Sequence, residues 1–288
     1  MDNILEKIEF DYKVDIKNIT TIKTSGKVKG VFYPKTQKEL IFIYNFLNIN
    51  NIPNIIIGNG SNILFSPKSQ KMIIISTKKM KKLLKINKND LICSSSIFFN
   101  NAFQYALKNN LSGFEFLANI PGTIGGGLIM NASAFNKSIF DILNWVKILD
   151  KGKIKYLKKA QIKYDYRFSS LKDKVILSAS FHLTPKDKNI ILQDYLLCLK
   201  KRRINQPFGF SFGCTFKNPK NYSAGFLIEQ CGLKGFKYKN AEISNKHANF
   251  IINKSDSSFD DILYLINLAR KKVKEKYNIN LETEVIII

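Results

Sequence analysis

Histidine, cysteine and acidic residues are scarce in this chain of 288 residues, and each shortage excludes a class of protein. The four cysteines lie far apart and, with only two histidines present, form no metal-type pair, so we predict no metal site. The chain also lacks an apolar run of membrane-spanning length and a basic-then-apolar start. We therefore expect no membrane insertion, no export signal, and reduced thiols in the cytoplasm.

The shortage of acids leaves a large positive charge. Lysine and arginine number 46 against 22 aspartates and glutamates, which makes the formal net charge +24. Such charge can indicate a nucleic-acid partner. The lysines, however, form no single block and lack the aromatic interleaving or motif spacing of nucleic-acid binders. We favour a compositional bias towards lysine, asparagine and isoleucine and expect no nucleic-acid partner, although an anionic substrate would benefit from the field.

The spacing of apolar residues predicts alternating strands and helices. Thr36 and Glu39 form a capping-box pattern before a helical stripe that begins at Leu40. A last helix is predicted to start between Ser257 and Asp260, and a final strand to span Leu281–Ile288. The other predicted strands are 31–33, 55–57, 72–75, 91–93, 145–149 and 175–182, and the other predicted helices are 98–107 and 191–203. This order is typical of α/β units, with a turn at 185–188 as the first boundary.

Two glycine-rich segments stand out, the first after the predicted strand 55–57 and the second after the predicted helix 98–107. In Gly58-Asn59-Gly60-Ser61-Asn62, successive N–H groups can form an anion-binding nest, although a plain tight turn explains this short segment equally well. The segment 120–134 holds four glycines within six positions, which costs backbone entropy that an ordinary loop avoids. We predict a buried loop there that packs against a flat ring or a diphosphate, in preference to a structural crossover.

Three ionisable residues stand out, and each has a simple structural explanation. Arg167 lies among aromatic residues, where a structural ion pair is the better explanation from the segment alone. A lone cysteine such as Cys214 is usually buried and inert, but a thiol with a pKa of about 8.5 can also donate a proton. Alternation places Glu282 and Glu284 on one face of the final strand, where solvent exposure is the default. His247 is predicted to be structural.

In chain order, these segments resemble the UDP-N-acetylenolpyruvoylglucosamine reductase family, flavoenzymes of peptidoglycan synthesis. The resemblance begins at about Thr20, continues to the end of the chain and depends on the order of the motifs. The matching segments are 58–62, 120–126 with Asn131-Ala132, 166–169, 213–219, 224–228, Ser244 with 246–250, and Leu281 with Glu284-Val285.

The resemblance implies an α+β fold with a PCMH-type (vanillyl-alcohol-oxidase-like) FAD-binding region. That region would be residues 1–186, in two small α/β lobes that meet near residue 76, and residues 187–288 would form an α+β substrate-binding domain. Only one helix fits between Leu183 and Gly213, as in the shorter family type without an extra tyrosine loop. The implied FAD-binding residues are Gly58, Asn59, Gly60, Ser61, Asn62, Pro121, Gly122, Thr123, Gly125, Gly126, Asn131 and Ala132.

The resemblance also implies a reaction in two stages. NADPH would reduce FAD, and flavin N5 would then pass a hydride to the enolpyruvyl ether of a UDP-sugar. Arg167 would hold the substrate carboxylate, Glu284 would polarise it, and Cys214 would donate the proton from a position that is serine in many relatives. Lys217 and Asn218 would contact the substrate. The oligomeric state stays open.

Departures from the family pattern concern loops. Asn131-Ala132-Ser133-Ala134-Phe135-Asn136 replaces a more usual Asn-Ala-Gly-Ala-Tyr-Gly, and Lys239-Asn240 replaces residues that are often glycine. The glycine that commonly follows the last strand is also missing. The alternatives to the reductase are another PCMH-type FAD oxidoreductase with a different substrate and a basic nucleic-acid-binding protein.

Overall fold

The computed structural model describes residues 4–288, and its helices and strands are mixed along the chain. The α-helices are Gln37–Ile49 (α1), Phe99–Lys108 (α2), Ile124–Ile129 (α3), Ile139–Ile142 (α4), Lys188–Asn205 (α5), Ala224–Gln230 (α6) and Phe259–Tyr277 (α7). Short 3₁₀ helices occupy Leu5–Lys7, Ile16–Asn18, Pro67–Lys71, Thr77–Lys79 and Lys159–Gln161.

The strands are short, and most of those whose register is resolved pair in antiparallel fashion. They are Glu9–Tyr12 (β1), Gly30–Tyr33 (β2), Asn54–Ile57 (β3), Ile63–Leu64 (β4), Ile73–Ser76 (β5), Leu84–Asn87 (β6), Asp90–Ser94 (β7), Leu111–Ser112 (β8), Ser133–Ala134 (β9), Lys137–Ser138 (β10), Leu143–Asp150 (β11), Lys153–Lys158 (β12), Tyr164–Asp165 (β13), Phe168–Ser169 (β14), Val175–His182 (β15), Thr184–Pro185 (β16), Lys237–Tyr238 (β17), Ala241–Ile243 (β18), Ile251–Asn253 (β19) and Ile286–Ile287 (β20).

The chain divides into two compact units. The first unit comprises Phe32–Gly58, Ile74–Lys201 and, at the beginning of the described residues, 4–10. The second unit comprises Asp11–Val31, Asn59–Ile73 and Arg202–Ile288. The chain therefore passes between the units several times, whereas the sequence-based division places one cut near residue 186. That division concerns cofactor and substrate binding, and it stays a prediction.

The first unit is built on an antiparallel sheet with the strand order β12-β11-β15-β7-β6. Its central strand β15 is buried at every residue except His182, because both faces of this strand are covered. Helix α2 buries the apolar stripe Phe99, Ala102, Phe103, Ala106 and Leu107 in the same core. Helix α1 of this unit contacts β3, which is an end strand of the sheet β1-β2-β5-β3.

The second unit combines the antiparallel sheet β17-β18-β19 with helices α6 and α7. Helix α7 begins at a capping box formed by Ser258 and Asp261, with acids in its first turn and lysines in its last, as the helix dipole favours. Its buried residues Ile262, Leu265, Ile266, Ala269 and Val273 form one apolar stripe. Strand β20 pairs in parallel with β4, so the end of the chain joins this unit.

Most of the predicted elements are confirmed. Two segments differ, the second glycine segment at 124–129 and the final segment at 281–288. All the predicted helices form, and Thr36 Oγ1 accepts a hydrogen bond from Glu39 N–H at the start of α1. The predicted strand over Leu281–Ile288 is wrong for most of its length, because only Ile286–Ile287 is a strand and Thr283 makes an isolated bridge to Phe216. Across residues 4–288, no helix combines the length and the apolar composition needed to cross a bilayer.

Candidate functional site

The second glycine segment contains a helix, which corrects the prediction of a continuous buried loop. Thr123 is the N-cap of α3: its hydroxyl accepts a hydrogen bond from Gly126 N–H at 3.5 Å, and its carbonyl accepts one from Gly127 N–H at 2.8 Å. Glycine is a poor helix former, so local sequence predicts a loop. Packing instead requires glycine inside this helix, because a Cβ at Gly127 would lie 2.3 Å from Phe99 Cζ.

The two glycine segments meet inside the first unit. A Cβ added at Gly58, where β3 ends, would lie 2.3 Å from Thr123 Oγ1. A side chain at Gly122 would similarly come within 2.9 Å of Phe99 Cε2. Gly126 is different. A Cβ added there would have its nearest neighbour 3.6 Å away, and the residue is exposed. Gly58 and Gly122 are therefore required by packing, while Gly126 leaves its backbone open to a ligand.

Buried hydroxyl groups lie beside this segment, and the sequence analysis missed them. Ser95 and Ser96 follow β7 directly, and Ser95 O accepts a hydrogen bond from Gly125 N–H at 2.8 Å. Both side chains are buried, yet neither Oγ has a hydrogen-bond partner among the described residues 4–288. The same holds for Oδ1 of buried Asn131. Such atoms fit the polar groups of a bound ligand such as FAD. The available signal was the run of three serines, Ser94–Ser96, after a predicted strand.

Arg167 lies at the turn of the β13–β14 hairpin with a positive φ of 55°. Two side chains attach this hairpin to the end of the glycine segment: Asn131 Nδ2 donates to Asp165 O at 2.8 Å, and Ser169 Oγ donates to Leu128 O at 2.7 Å. The guanidinium Nη1 of Arg167 donates to Ser133 Oγ at 2.6 Å. The structure therefore brings Arg167 close to the segment that contains Asn131 and Ala132.

In the second unit, the segments that carry Cys214 and Glu284 lie side by side. Glu284 N–H donates to Thr215 O at 2.9 Å, and Cys214 forms an isolated antiparallel bridge with Phe250. Asn249 is buried and holds the middle of this segment, because its side-chain amide both accepts from Phe216 N–H and donates to Phe216 O. Cys214 and Glu284 are both half-buried.

Residues 59–62, which are all of the first glycine segment except Gly58, belong to the second unit, where Asn62 lies beside Glu284. Asn62 Nδ2 donates to Glu284 O at 3.1 Å, and Asn62 O accepts from Ile286 N–H at 3.0 Å. Gly60 has a φ of 63°, and a Cβ there would lie 2.1 Å from Ile19 O, so only glycine fits. Asn59 and Ser61 are half-buried. The structure thus brings Asn62 and Glu284 together.

The two predicted substrate contacts make structural interactions. Lys217 Nζ lies 3.3 Å from the carboxylate of exposed Glu282. Asn218 Oδ1 accepts a hydrogen bond from Ala224 N–H at 3.0 Å, where α6 begins. Both residues lie close in sequence to Cys214, and their contact with a substrate stays a prediction.

His247 has a structural environment. Its Nδ1 accepts a hydrogen bond from Asn249 N–H at 3.2 Å, and burial lowers the pKa of the imidazole. A Cβ at Gly225 would lie 3.0 Å from His247 Cε1, which shows how closely α6 packs on the ring.

No disulfide joins the four cysteines, and within residues 4–288 no three His, Cys, Asp or Glu side chains gather as metal ligands.

Comparison with known proteins defines first a class and then a family. Residues 28–156 match the family described as "FAD binding domain", and residues 205–288 match "UDP-N-acetylenolpyruvoylglucosamine reductase, C-terminal domain". The unpartnered hydroxyls of Ser95 and Ser96 and the close glycine contacts of the first unit lie within residues 28–156. The protein is an FAD-dependent oxidoreductase with an α+β fold, as the resemblance implies.

The relatives cover nearly the whole chain. The UDP-N-acetylenolpyruvoylglucosamine reductase of Clostridium tetani is 38% identical over 95% of this chain and 90% of its own length. That of Prochlorococcus marinus is 38% identical over 99% of this chain and 98% of its own length. The crystal structure of the Thermus caldophilus enzyme superposes with a TM-score of 0.83 at 27% identity, covering 97% of this chain and 99% of that one. The chain belongs to the UDP-N-acetylenolpyruvoylglucosamine reductase family.

Proposed function

We propose that this protein reduces the enolpyruvyl ether of UDP-N-acetylglucosamine to UDP-N-acetylmuramate, with NADPH as the reductant, in peptidoglycan precursor synthesis. The observation that carries the proposal is the match of both family models in the expected order, with relatives of the same name aligned over almost the entire chain. We place the reaction in the cytoplasm, in line with the sequence analysis.

The first unit supplies groups that fit FAD. Gly126 offers an open backbone, and the hydroxyls of Ser95 and Ser96 and the amide oxygen of Asn131 are buried polar atoms that a ligand would satisfy. The glycine backbones would lie close to the diphosphate, because glycine has no side chain to keep a ligand away. When bound, FAD would supply the hydride-transfer chemistry between NADPH and the substrate.

Arg167 would hold the carboxylate of the enolpyruvyl group. A guanidinium matches a carboxylate through parallel N–H groups and is always charged. Reduction of the double bond at its terminal carbon leaves negative charge on the adjacent carbon and on the carboxylate. A fixed cation stabilises this charge more in the transition state than in the ground state, and this difference accelerates the reaction.

Cys214 would donate the proton to the carbon where this charge develops. The proton leaves Sγ as the new C–H bond forms, and the thiolate recovers a proton from water in the next cycle. Glu284 would act on the substrate carboxylate. In support of these roles, Glu284 N–H donates a hydrogen bond to Thr215 O. Thr215 follows Cys214 in the sequence, so this bond brings the two segments together.

Flavin spectroscopy tests the proposed function directly. The purified protein is expected to be yellow, to bleach anaerobically with NADPH, and to recover its colour when the UDP-enolpyruvyl sugar is added. UDP-N-acetylglucosamine, which lacks the enolpyruvyl group, is the matched control and should leave the flavin reduced. The proposal fails if the protein is colourless and cannot be reconstituted with FAD, or if the enolpyruvyl sugar does not reoxidise the flavin.

A further inference from the structure

Ser133 lies on a short, well-defined hairpin in the first unit. Strands β9 and β10 pair through Ser133 with Ser138 and Ala134 with Lys137. The two turn residues, Phe135 and Asn136, both have positive φ, as in the type I′ turns that favour tight hairpins. The backbone position of Ser133 is therefore set by strand pairing and by the turn, independently of its hydroxyl group.

Arg167 lies on a second hairpin whose backbone is held at both ends. Asp165 O accepts from Asn131 Nδ2, and Ser169 Oγ donates to Leu128 O. These bonds locate the backbone of Arg167. Its guanidinium carbon lies 5.3 Å from the centroid of the Tyr166 ring, and its Nη1 donates to Ser133 Oγ at 2.6 Å, with the Ser133 carbonyl 3.5 Å from the same nitrogen.

We propose that Ser133 is a positioning residue for Arg167, and the inference rests on the proposed function. By accepting a hydrogen bond from Nη1, the serine hydroxyl selects one orientation of the guanidinium before substrate arrives. A group that is already oriented stabilises developing charge without reorganising during the reaction. Ser133 itself touches neither substrate nor cofactor in this role, and its effect passes entirely through Arg167.

The structure permits a clean deletion of this contact. Pairing of β9 with β10 uses backbone groups, and Ser133 is only half-buried, so Ser133→Ala removes the hydroxyl and leaves the hairpin in place. Ser133→Thr keeps a hydroxyl on a residue that strands accept well. Ser138→Ala is the matched control for the reaction rates, because Ser138 pairs directly with Ser133 across the same hairpin. Ser138 is also the N-cap of α4, so this variant is expected to lower the unfolding midpoint without changing the rates.

The experiment measures the two half-reactions of the FAD-loaded enzyme separately by stopped-flow absorbance, together with the thermal unfolding midpoint. For Ser133→Ala, flavin reoxidation by the UDP-enolpyruvyl sugar should slow about 10-fold, the size expected from one hydrogen bond to a charged group. Flavin reduction by NADPH should stay within about twofold of wild type. Ser133→Thr should recover most of the lost rate, and Ser138→Ala should leave both half-reactions unchanged.

A double-mutant cycle with Arg167→Ala decides whether the effect passes through the arginine. In the Arg167→Ala background, Ser133→Ala should cause no further slowing of reoxidation. An equal effect of Ser133→Ala in both backgrounds, or equal slowing of the two half-reactions, overturns the positioning role. A wild-type enzyme that the enolpyruvyl sugar cannot reoxidise overturns the proposed function, and this inference with it. Normal wild-type turnover combined with an unimpaired Ser133→Ala variant overturns this inference alone.

Discussion

Gly58 and Thr123 are packed so closely that a Cβ at Gly58 would lie 2.3 Å from Thr123 Oγ1 and 2.9 Å from its Cγ2. Thr123 is at the same time the N-cap of α3. The end of β3 and the start of the second glycine segment therefore depend on each other. A displaced Thr123 would disturb both the helix and the glycine backbone that follows it.

Gly58→Ala is expected to destabilise the protein by about 1–3 kcal/mol, because Thr123 must move to admit the new methyl group. Urea unfolding of the FAD-free protein measures this free energy. Thr123→Ala should restore part of the loss in the double variant, since it removes the two closest atoms. Additive effects of the two substitutions would contradict the proposed steric cause.

Gly126→Ala is the matched control for the glycine segment. A Cβ at Gly126 would make only ordinary contact, and alanine favours a helix over glycine, so the FAD-free protein should be as stable as wild type or more so. FAD affinity should nevertheless fall, because the new methyl group covers the exposed backbone. Unchanged FAD affinity, measured by quenching of flavin fluorescence, would remove Gly126 from the cofactor site.

Ser95→Ala and Ser96→Ala should affect the FAD-bound protein more than the FAD-free protein. In the described part of the chain, neither hydroxyl has a hydrogen-bond partner, so its removal leaves no other buried group unsatisfied. If FAD satisfies these hydroxyls, each substitution weakens FAD binding about 5- to 10-fold. Unfolding temperatures with and without FAD provide the test, and an equal loss in both states would indicate a purely structural role.

Cys214→Ala should separate the two half-reactions. Flavin reduction by NADPH requires no proton from the thiol and should stay near the wild-type rate, whereas reoxidation by the sugar should slow about 100-fold, a typical contribution of general acid catalysis. Cys214→Ser should retain much of the activity, because a hydroxyl can also deliver a proton. Equal slowing of both half-reactions in the alanine variant would exclude the proton-donor role.

His247 should make the stability of the protein depend on pH in the acidic range. Burial lowers the pKa of His247 in the folded protein below the ordinary value of about 6.5 that applies after unfolding. Between these two values the unfolded chain binds more protons, so stability decreases as pH falls below about 6.5 and is fully present above it. Urea unfolding between about pH 5 and pH 8 should show this slope.

His247→Gln should flatten that pH dependence, because the glutamine amide does not titrate. At pH 8 the imidazole of His247 is neutral in both the folded and the unfolded protein, so a comparison of the two proteins there measures the effect of the substitution apart from titration. A wild-type slope in the His247→Gln protein would assign the pH dependence to other groups.

Local sequence patterns determined most of the helices and the longer strands, as well as the family. The apolar stripe of α2, the cap at Thr36 and the run of buried residues in β15 are each encoded within a few neighbouring residues. The order of short motifs along the chain was sufficient for the family, which the two matching regions confirm.

Tertiary structure decided the features that depend on residues far apart in the sequence. Glycine propensity favours a loop at 124–129, but packing on Phe99 and the cap at Thr123 make this segment a helix. Alternation of apolar and polar residues predicts a long strand at the end of the chain. In the structure, a strand forms only at Ile286–Ile287, where β20 pairs with β4. Ser133 was only a departure from a loop pattern until the folded chain placed it against Arg167. Local propensity is a property of neighbouring residues, whereas these contacts exist only after distant segments have packed together.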